Sequence, residues 1–174
     1  DADLAAAIVE RVRSYAKGTR SERVSSEVSE LVNKAVREFK RQSGERVEVW
    51  VPQEQPVYII VNPLEFELVI INLLRNAAQA LQELGVLNPK VALTIKREDN
   101  KALIAIEDNG HIEKEKIEKL SEPTNSTKAD GLGLGLQIVR SIIENHGGKI
   151  FFSQAASGGL RVEIRLPAEE TTEQ

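Results

Sequence analysis

Three glycines at alternate positions, in Gly131-Leu132-Gly133-Leu134-Gly135-Leu136, run directly into the apolar stretch Gln137-Ile138-Val139-Arg140-Ser141-Ile142-Ile143. No other feature restricts the fold as much. Glycine lacks a Cβ, so the backbone there can lie close to a ligand or to another backbone. The apolar positions that follow have helical spacing, so a helix starts at the glycines and buries one face. The first turn of such a helix carries unpaired N–H groups and a partial positive charge, which suit a phosphate. The run is neither of the two commonest phosphate loops. A dinucleotide-binding turn needs a glycine three residues after the second one, and that position is Leu136. A P-loop ends in Gly-Lys-Ser or Gly-Lys-Thr, a triplet the chain lacks.

The chain has 174 residues, enough for one domain with a real core and an appendage. A hydrophobic content of 41% and a charged content of 29% place it among ordinary globular proteins. The net charge is -4 and no basic stripe occurs, which argues against nucleic-acid binding. The absence of cysteine excludes a disulfide framework and thiolate chemistry. No apolar run approaches the roughly 18 residues of a membrane span, and no signal peptide is evident. The sequence starts at Asp1 and contains no Met, so it reads as a piece of a longer protein.

Residues 2–18 read as a helix with one apolar stripe, Leu4, Ile8, Val12 and Tyr15, ended by Gly18. The stripe packs on its own domain, or it is half of a coiled coil or bundle with another chain or segment. Residues 19–25 form a polar, basic linker. Ser25 or Ser26 then caps a helix to about Gln42, with Val28, Leu31, Val32, Ala35, Val36 and Phe39 buried and Gly44 closing it. Arg46–Val51 and Val57–Val61 read as strands. Asn62-Pro63-Leu64-Glu65 starts a helix that runs to about Leu84: Asn62 caps, Pro63 suits the first position, and Glu65 can complete a capping box. Lys90–Arg97 and Ala102–Asp108 pair through a turn at Asp99-Asn100. A short charged helix and a Ser/Thr/Pro-rich segment, 121–130, precede the glycine run. Its helix ends at His146-Gly147-Gly148, where a histidine suits the helix dipole. Lys149–Ser153 and Leu160–Leu166 form a last hairpin, and the tail from Ala168 is polar and mobile. This order predicts an α+β, two-layer sandwich with one mixed sheet and helices on one face.

Four features carry chemistry. Asn72 and Asn76 lie four apart in an apolar helix and share a face. Asparagine is poor in mid-helix and costly to bury unpaired, so the pair asks for a polar partner such as Mg²⁺ or phosphate, or bonds to backbone. Asp108, in Glu107-Asp108-Asn109-Gly110, ends a buried strand; it can accept a hydrogen bond from an adenine amino group, or simply make a turn. The segment 121–130, with Lys128, is a lid or a surface loop. The fourth feature is the glycine run.

In this order and spacing the four resemble the ATP-binding catalytic domain of sensor histidine kinases, within the superfamily of gyrase, heat-shock-90 and mismatch-repair ATPases. Asn72-x-x-x-Asn76 is similar to the family's N box. Asp108-Asn109-Gly110 resembles half of its first glycine box, Glu122-Pro123 to Thr127-Lys128 its lid, and Gly131 to Gly135 its second glycine box. The resemblance covers about residues 45–167. It implies a Bergerat-type ATP-binding fold and a role for each matching position. Asn76 ligates Mg²⁺, with Asn72 beside it. Asp108 binds the adenine amino group and Gly110 lets the chain pass under the base. Lys128 approaches the phosphates, and Gly131, Gly133 and Gly135 let backbone lie close to them. ATP-hydrolysing relatives place a glutamate where this chain has Asn72; an amide cannot take a proton from water, which favours phosphoryl transfer over hydrolysis.

Two of the motifs depart from the family pattern. Gly110 is followed by His111 and Ile112, without the second glycine, and Thr124 and Asn125 replace the lid aromatics. By resemblance, residues 1–20 are a remnant of a dimerisation and phosphoacceptor helix, 21–44 a linker and the first helix of the catalytic domain, 45–167 the ATP-binding domain and 168–174 a tail. No acceptor-histidine motif occurs among these residues. The resemblance therefore implies a histidine kinase that passes the γ-phosphoryl of Mg-ATP to a histidine elsewhere in the protein. It also implies a homodimer through the N-terminal helix, a response regulator as partner, and a cytoplasmic position with membrane anchoring of the whole protein left open. A nucleotide-binding scaffold without transfer and a serine kinase of the same superfamily remain the alternatives.

Overall fold

The computed structural model describes residues 22–44, 46–52, 55–122 and 133–170. Alternating apolar positions build its main sheet. Val91, Leu93 and Ile95 of β4 (Lys90–Glu98), Ala102, Ile104 and Ile106 of β5 (Lys101–Asp108), and Val162, Ile164 and Leu166 of β7 (Leu160–Pro167) are all buried on one face. The opposite face carries charge: Arg161 bonds Glu107 at 2.6 Å, and Arg165 bonds Glu163 at 2.7 Å. The strand order is β2-β4-β5-β7-β6, with β2 (Glu48–Trp50) parallel to β4 and the other pairs antiparallel; β6 is Lys149–Gln154. The expected mixed sheet is present. Asp99, at φ 53°, makes the β4–β5 turn.

Helices cover the apolar face. Val28, Val32, Ala35, Val36 and Phe39 of α1 (Val28–Ser43) recur at three to four residues and pack on α2 (Pro63–Glu83). α2 is apolar on most of its surface because it lies between α1, the sheet and α4 (Gly133–Asn145). The short α3 (Lys114–Ser121) sits outside this core and meets β6.

Three local readings change. Residues 24–27 are not linker and cap but a strand, β1 (Val24–Glu27), paired antiparallel with β3 (Tyr58–Val61) in a second, two-stranded sheet. Neither serine caps α1: Ser25 bonds Glu169, Ser26 bonds the Val24 carbonyl, and the Val28 N–H goes to Val57 O at 2.9 Å. Strand pairing supplies what a cap would otherwise supply. The polar tail is anchored at its start, since Ala168 N donates to Asn100 O and Glu169 N to Tyr58 O.

The third change concerns the start of α2. Asn62 caps it as expected, accepting from Glu65 N at 3.1 Å. The Glu65 side chain does not return to the Asn62 N–H; it faces His146 at 3.7 Å, and His146 Nε2 accepts from Asn62 N at 3.2 Å. A backbone N–H can only donate, so Nε2 is bare and Nδ1 carries the proton to Ile142 O, 2.7 Å away. His146, 7% exposed, thus joins the end of α4 to the start of α2.

Candidate functional site

A cavity of about 340 Å³ opens between α2 and the sheet, a volume suited to a small molecule. Leu73, Asn76, Ala77 and Ala80 line it from α2, Leu84 from the cap of that helix, and Ile106, Asp108, Phe152, Leu160 and Val162 from the strands. Ile112 and Leu136 add apolar surface, and Glu83, His111, Glu113, Lys116 and Leu120 also line it. The surface is mainly apolar, with a few polar groups to orient a guest.

Asp108 is the last residue of β5 and is 7% exposed. Its Oδ1 accepts from Gly110 N at 2.9 Å and from Leu160 N at 3.4 Å. Both bonds go to one oxygen, which leaves Oδ2 for a ligand. Burial pushes this carboxyl above its ordinary pKa, and the two N–H bonds pull it back only in part. A desolvated carboxylate in an apolar wall is a strong acceptor for a ligand N–H.

The turn after Asp108 is tied down at each residue. Asn109 accepts from Lys90 N and donates to Asn88 O, both at 2.8 Å. At Gly110 a Cβ would stand 3.0 Å from both Leu81 and Leu84, so only glycine fits without displacing them. Ile112, where the family pattern has its second glycine, is buried and faces the cavity, and its N–H donates to Gly158 O at 3.0 Å. His111 lies exposed at the cavity lining and pairs with Glu113 at 3.0 Å.

The two asparagines of α2 have different surroundings. Asn76 Nδ2 is buried and has no hydrogen-bond partner among the described residues. Asn72, 5% exposed, donates through Nδ2 to Gly135 O at 2.7 Å and does not line the cavity. A Cβ on Gly135 would stand 2.7 Å from Asn72 Oδ1. That glycine therefore serves the α2–α4 contact. Gly133 is the first residue of α4, whose early N–H groups lack intrahelical acceptors. Lys128, Gly131, the segment 123–130 and the helix read over residues 2–18 lie outside the described residues.

Sequence reasoning missed two elements of the site. Arg140, on α4, donates to Leu120 O at 2.8 Å and lies 5.6 Å from the centre of the Phe152 ring, so it joins α3 and α4 beside the cavity. The β6–β7 turn, Ser157-Gly158-Gly159, packs directly on Asp108. Its sequence signal was a second glycine beyond what the turn needs.

The family model described as "Histidine kinase-, DNA gyrase B-, and HSP90-like ATPase" matches residues 61–170. The sensor protein TdiS of Thauera aromatica is 32% identical over 174 aligned positions, covering 95% of this chain and 31% of TdiS. The chain thus spans about a third of that relative. The catalytic domain of histidine kinase ThkA superposes with a TM-score of 0.70 at 27% identity, covering 84% of this chain and 95% of that domain. ThkA in complex with response regulator TrrA gives a TM-score of 0.71 at 24% identity, covering 95% of this chain and 47% of the other.

Proposed function

Since the chain belongs to the histidine kinase-, DNA gyrase B- and HSP90-like ATPase family, we propose that its cavity takes Mg-ATP and that the whole protein passes the γ-phosphoryl group to a histidine. The observation that carries this reading is one cavity with two unmet groups among the described residues, an oxygen of buried Asp108 on the strand wall and the amide nitrogen of Asn76 on the helix wall. Adenine satisfies the first. Its amino group donates to Asp108 while the ring lies against Ile106, Ile112 and Val162.

A phosphate oxygen fits the second, because the unpartnered atom, Nδ2, is a donor. The Oδ1 of the same amide is a hard oxygen ligand of the kind Mg²⁺ takes, so Asn76 would hold the metal through oxygen and a phosphate through nitrogen. No three His, Cys, Asp or Glu side chains converge as a cage among the described residues. A cation held here would take its remaining ligands from phosphates and water and would neutralise phosphate charge. The protein supplies position and orientation. Lys128, Gly131 and Gly133 extend the reading toward the phosphates. Asn72 contributes by fixing Gly135 at the start of α4. No described helix is long and apolar enough to cross a membrane. A response regulator as the next acceptor, a homodimer through residues 1–20 and a cytoplasmic site belong to this proposal.

The test supplies the chain with Mg-ATP and a separate acceptor hairpin. Acid-labile phosphohistidine on the hairpin is the expected product. Nucleotide binding without transfer replaces this reading with a signalling scaffold, and phosphoserine replaces it with a serine kinase. Asn76→Ala is expected to abolish the Mg²⁺ dependence of ATP binding in calorimetry; a dependence that persists removes the metal role.

A further inference from the structure

Asp108 is held from a part of the chain 50 residues further on. Gly159 packs so tightly on it that a Cβ there would stand 2.2 Å from Asp108 O and 2.4 Å from Oδ1. No real Cβ contact is that short, so any other residue displaces either the turn or the carboxylate. The same turn supplies hydrogen bonds. Leu160 N donates to Oδ1, Ser157 Oγ donates to Asp108 O at 3.4 Å, and Gly158 O accepts from Ile112 N. Gln154 Nε2 joins both sides, donating to Ile112 O at 3.0 Å and Gly158 O at 3.2 Å.

We propose that Gly159 is a positioning residue for base recognition: the β6–β7 turn fixes the carboxylate of Asp108 in the orientation that accepts the adenine amino group. The proposal rests on the reading of Asp108 as the adenine-binding residue. Its physical content is preorganisation. With Oδ1 accepting from Gly110 N and Leu160 N, rotation of the carboxylate breaks both bonds, so the group is held in one orientation with Oδ2 left without a hydrogen bond among the described residues. Sequence reasoning found only one side of this device, the Asp108-Asn109-Gly110 turn. The other side lies in a hairpin that looks like an ordinary connection.

The experiment titrates ADP and inosine diphosphate into the unaltered chain, Gly159→Ala and Gln154→Ala. Inosine diphosphate carries a carbonyl in place of the 6-amino group and so cannot donate that bond to Asp108. The unaltered chain is expected to prefer ADP; equal affinities there remove the adenine reading itself. Given that preference, Gly159→Ala is expected to lose about tenfold or more in ADP affinity, the scale of a hydrogen bond to a charged group. Inosine diphosphate affinity stays within about twofold, since its binding does not draw on that bond. A variant that keeps the preference, or that loses both ligands equally while still folded, overturns the proposal. Gln154→Ala adds no atom and only loosens the turn. It is expected to narrow the preference by about threefold, the scale of a neutral hydrogen bond, and it decides the matter if Gly159→Ala does not fold. An unchanged preference in Gln154→Ala then overturns the proposal.

Discussion

The strand wall and the helix wall of the cavity meet their polar groups in opposite ways. On the strand wall, Asp108 is embedded in backbone donors from two loops, and the turn beside it is bonded at nearly every residue. On the helix wall, half-buried Asn76 carries a buried amide nitrogen with no partner among the described residues. The fold itself completes the first site before any ligand arrives. The second is complete only with a guest present. A preformed acceptor selects which base enters, whereas an unmet amide makes stability depend on occupancy. Selectivity and ligand response are thus divided between two walls only one small molecule apart.

The largest expected effect tests the strand wall. Asp108→Asn is expected to weaken ADP by roughly 1.5–3 kcal/mol, about 10- to 150-fold, because a hydrogen bond to a charged group is lost. Calorimetry measures it, and an unchanged affinity rules out the adenine role. The next tests how the two asparagines differ. Asn72→Ala removes the donor to Gly135 O and opens space at the α2–α4 contact, so unfolding should cost about 1–3 kcal/mol less. Nucleotide affinity should then fall by the same factor with and without Mg²⁺. A loss confined to Mg²⁺ conditions would put Asn72 in the metal site beside Asn76 and erase the contrast between them.

Much of this arrangement was legible in residue order. Periodicity located α2, α4 and the strands other than β1, because apolar spacing reports which face is buried. Asp108 and Asn76 stood out because a polar residue in an apolar element needs a reason. What stayed hidden depends on tertiary approach. Nothing near Ser25 signals that residues 24–27 pair with Tyr58–Val61, since the partner lies more than 30 residues away. The pairing of Asn72 with Gly135 and of Gly159 with Asp108 are contacts between distant segments. Periodicity is a local signal and cannot reach them. His146 was legible as a helix-end residue, but its bond to the Asn62 N–H follows only from the packing of α4 on α2.

The helix wall yields a smaller effect of opposite sign. Asn76→Leu keeps the side-chain size, removes a buried amide without a partner and improves helix propensity. The ligand-free protein should gain about 1 kcal/mol in denaturant unfolding. The Mg²⁺ dependence of ATP binding should vanish with it. A destabilised Asn76→Leu would mean that the amide is satisfied in the free protein, and the two walls would no longer differ.

The smallest effect concerns Asp108 in the absence of nucleotide, and its sign depends on pH. Burial raises its folded pKa above the unfolded value. Below the ordinary carboxylate range both states are protonated and the residue costs the fold nothing. As pH rises through the folded value, ionisation inside the cavity wall costs free energy that ionisation in the unfolded chain does not. Asp108→Asn does not titrate, and its amide oxygen can still accept from Gly110 N and Leu160 N. The free variant should therefore melt above the unaltered protein at pH 7, with the gap closing as the pH falls through the carboxylate range. Comparing the two proteins at each pH cancels the other acidic groups, and saturating ADP should reverse the order by stabilising only the chain that binds it well. A variant that melts lower at pH 7, with no pH dependence in the difference, would show that the N–H bonds outweigh burial. The strand wall would then be a stabilising feature as well as a selective one, rather than a site whose charge the fold tolerates for the sake of the ligand.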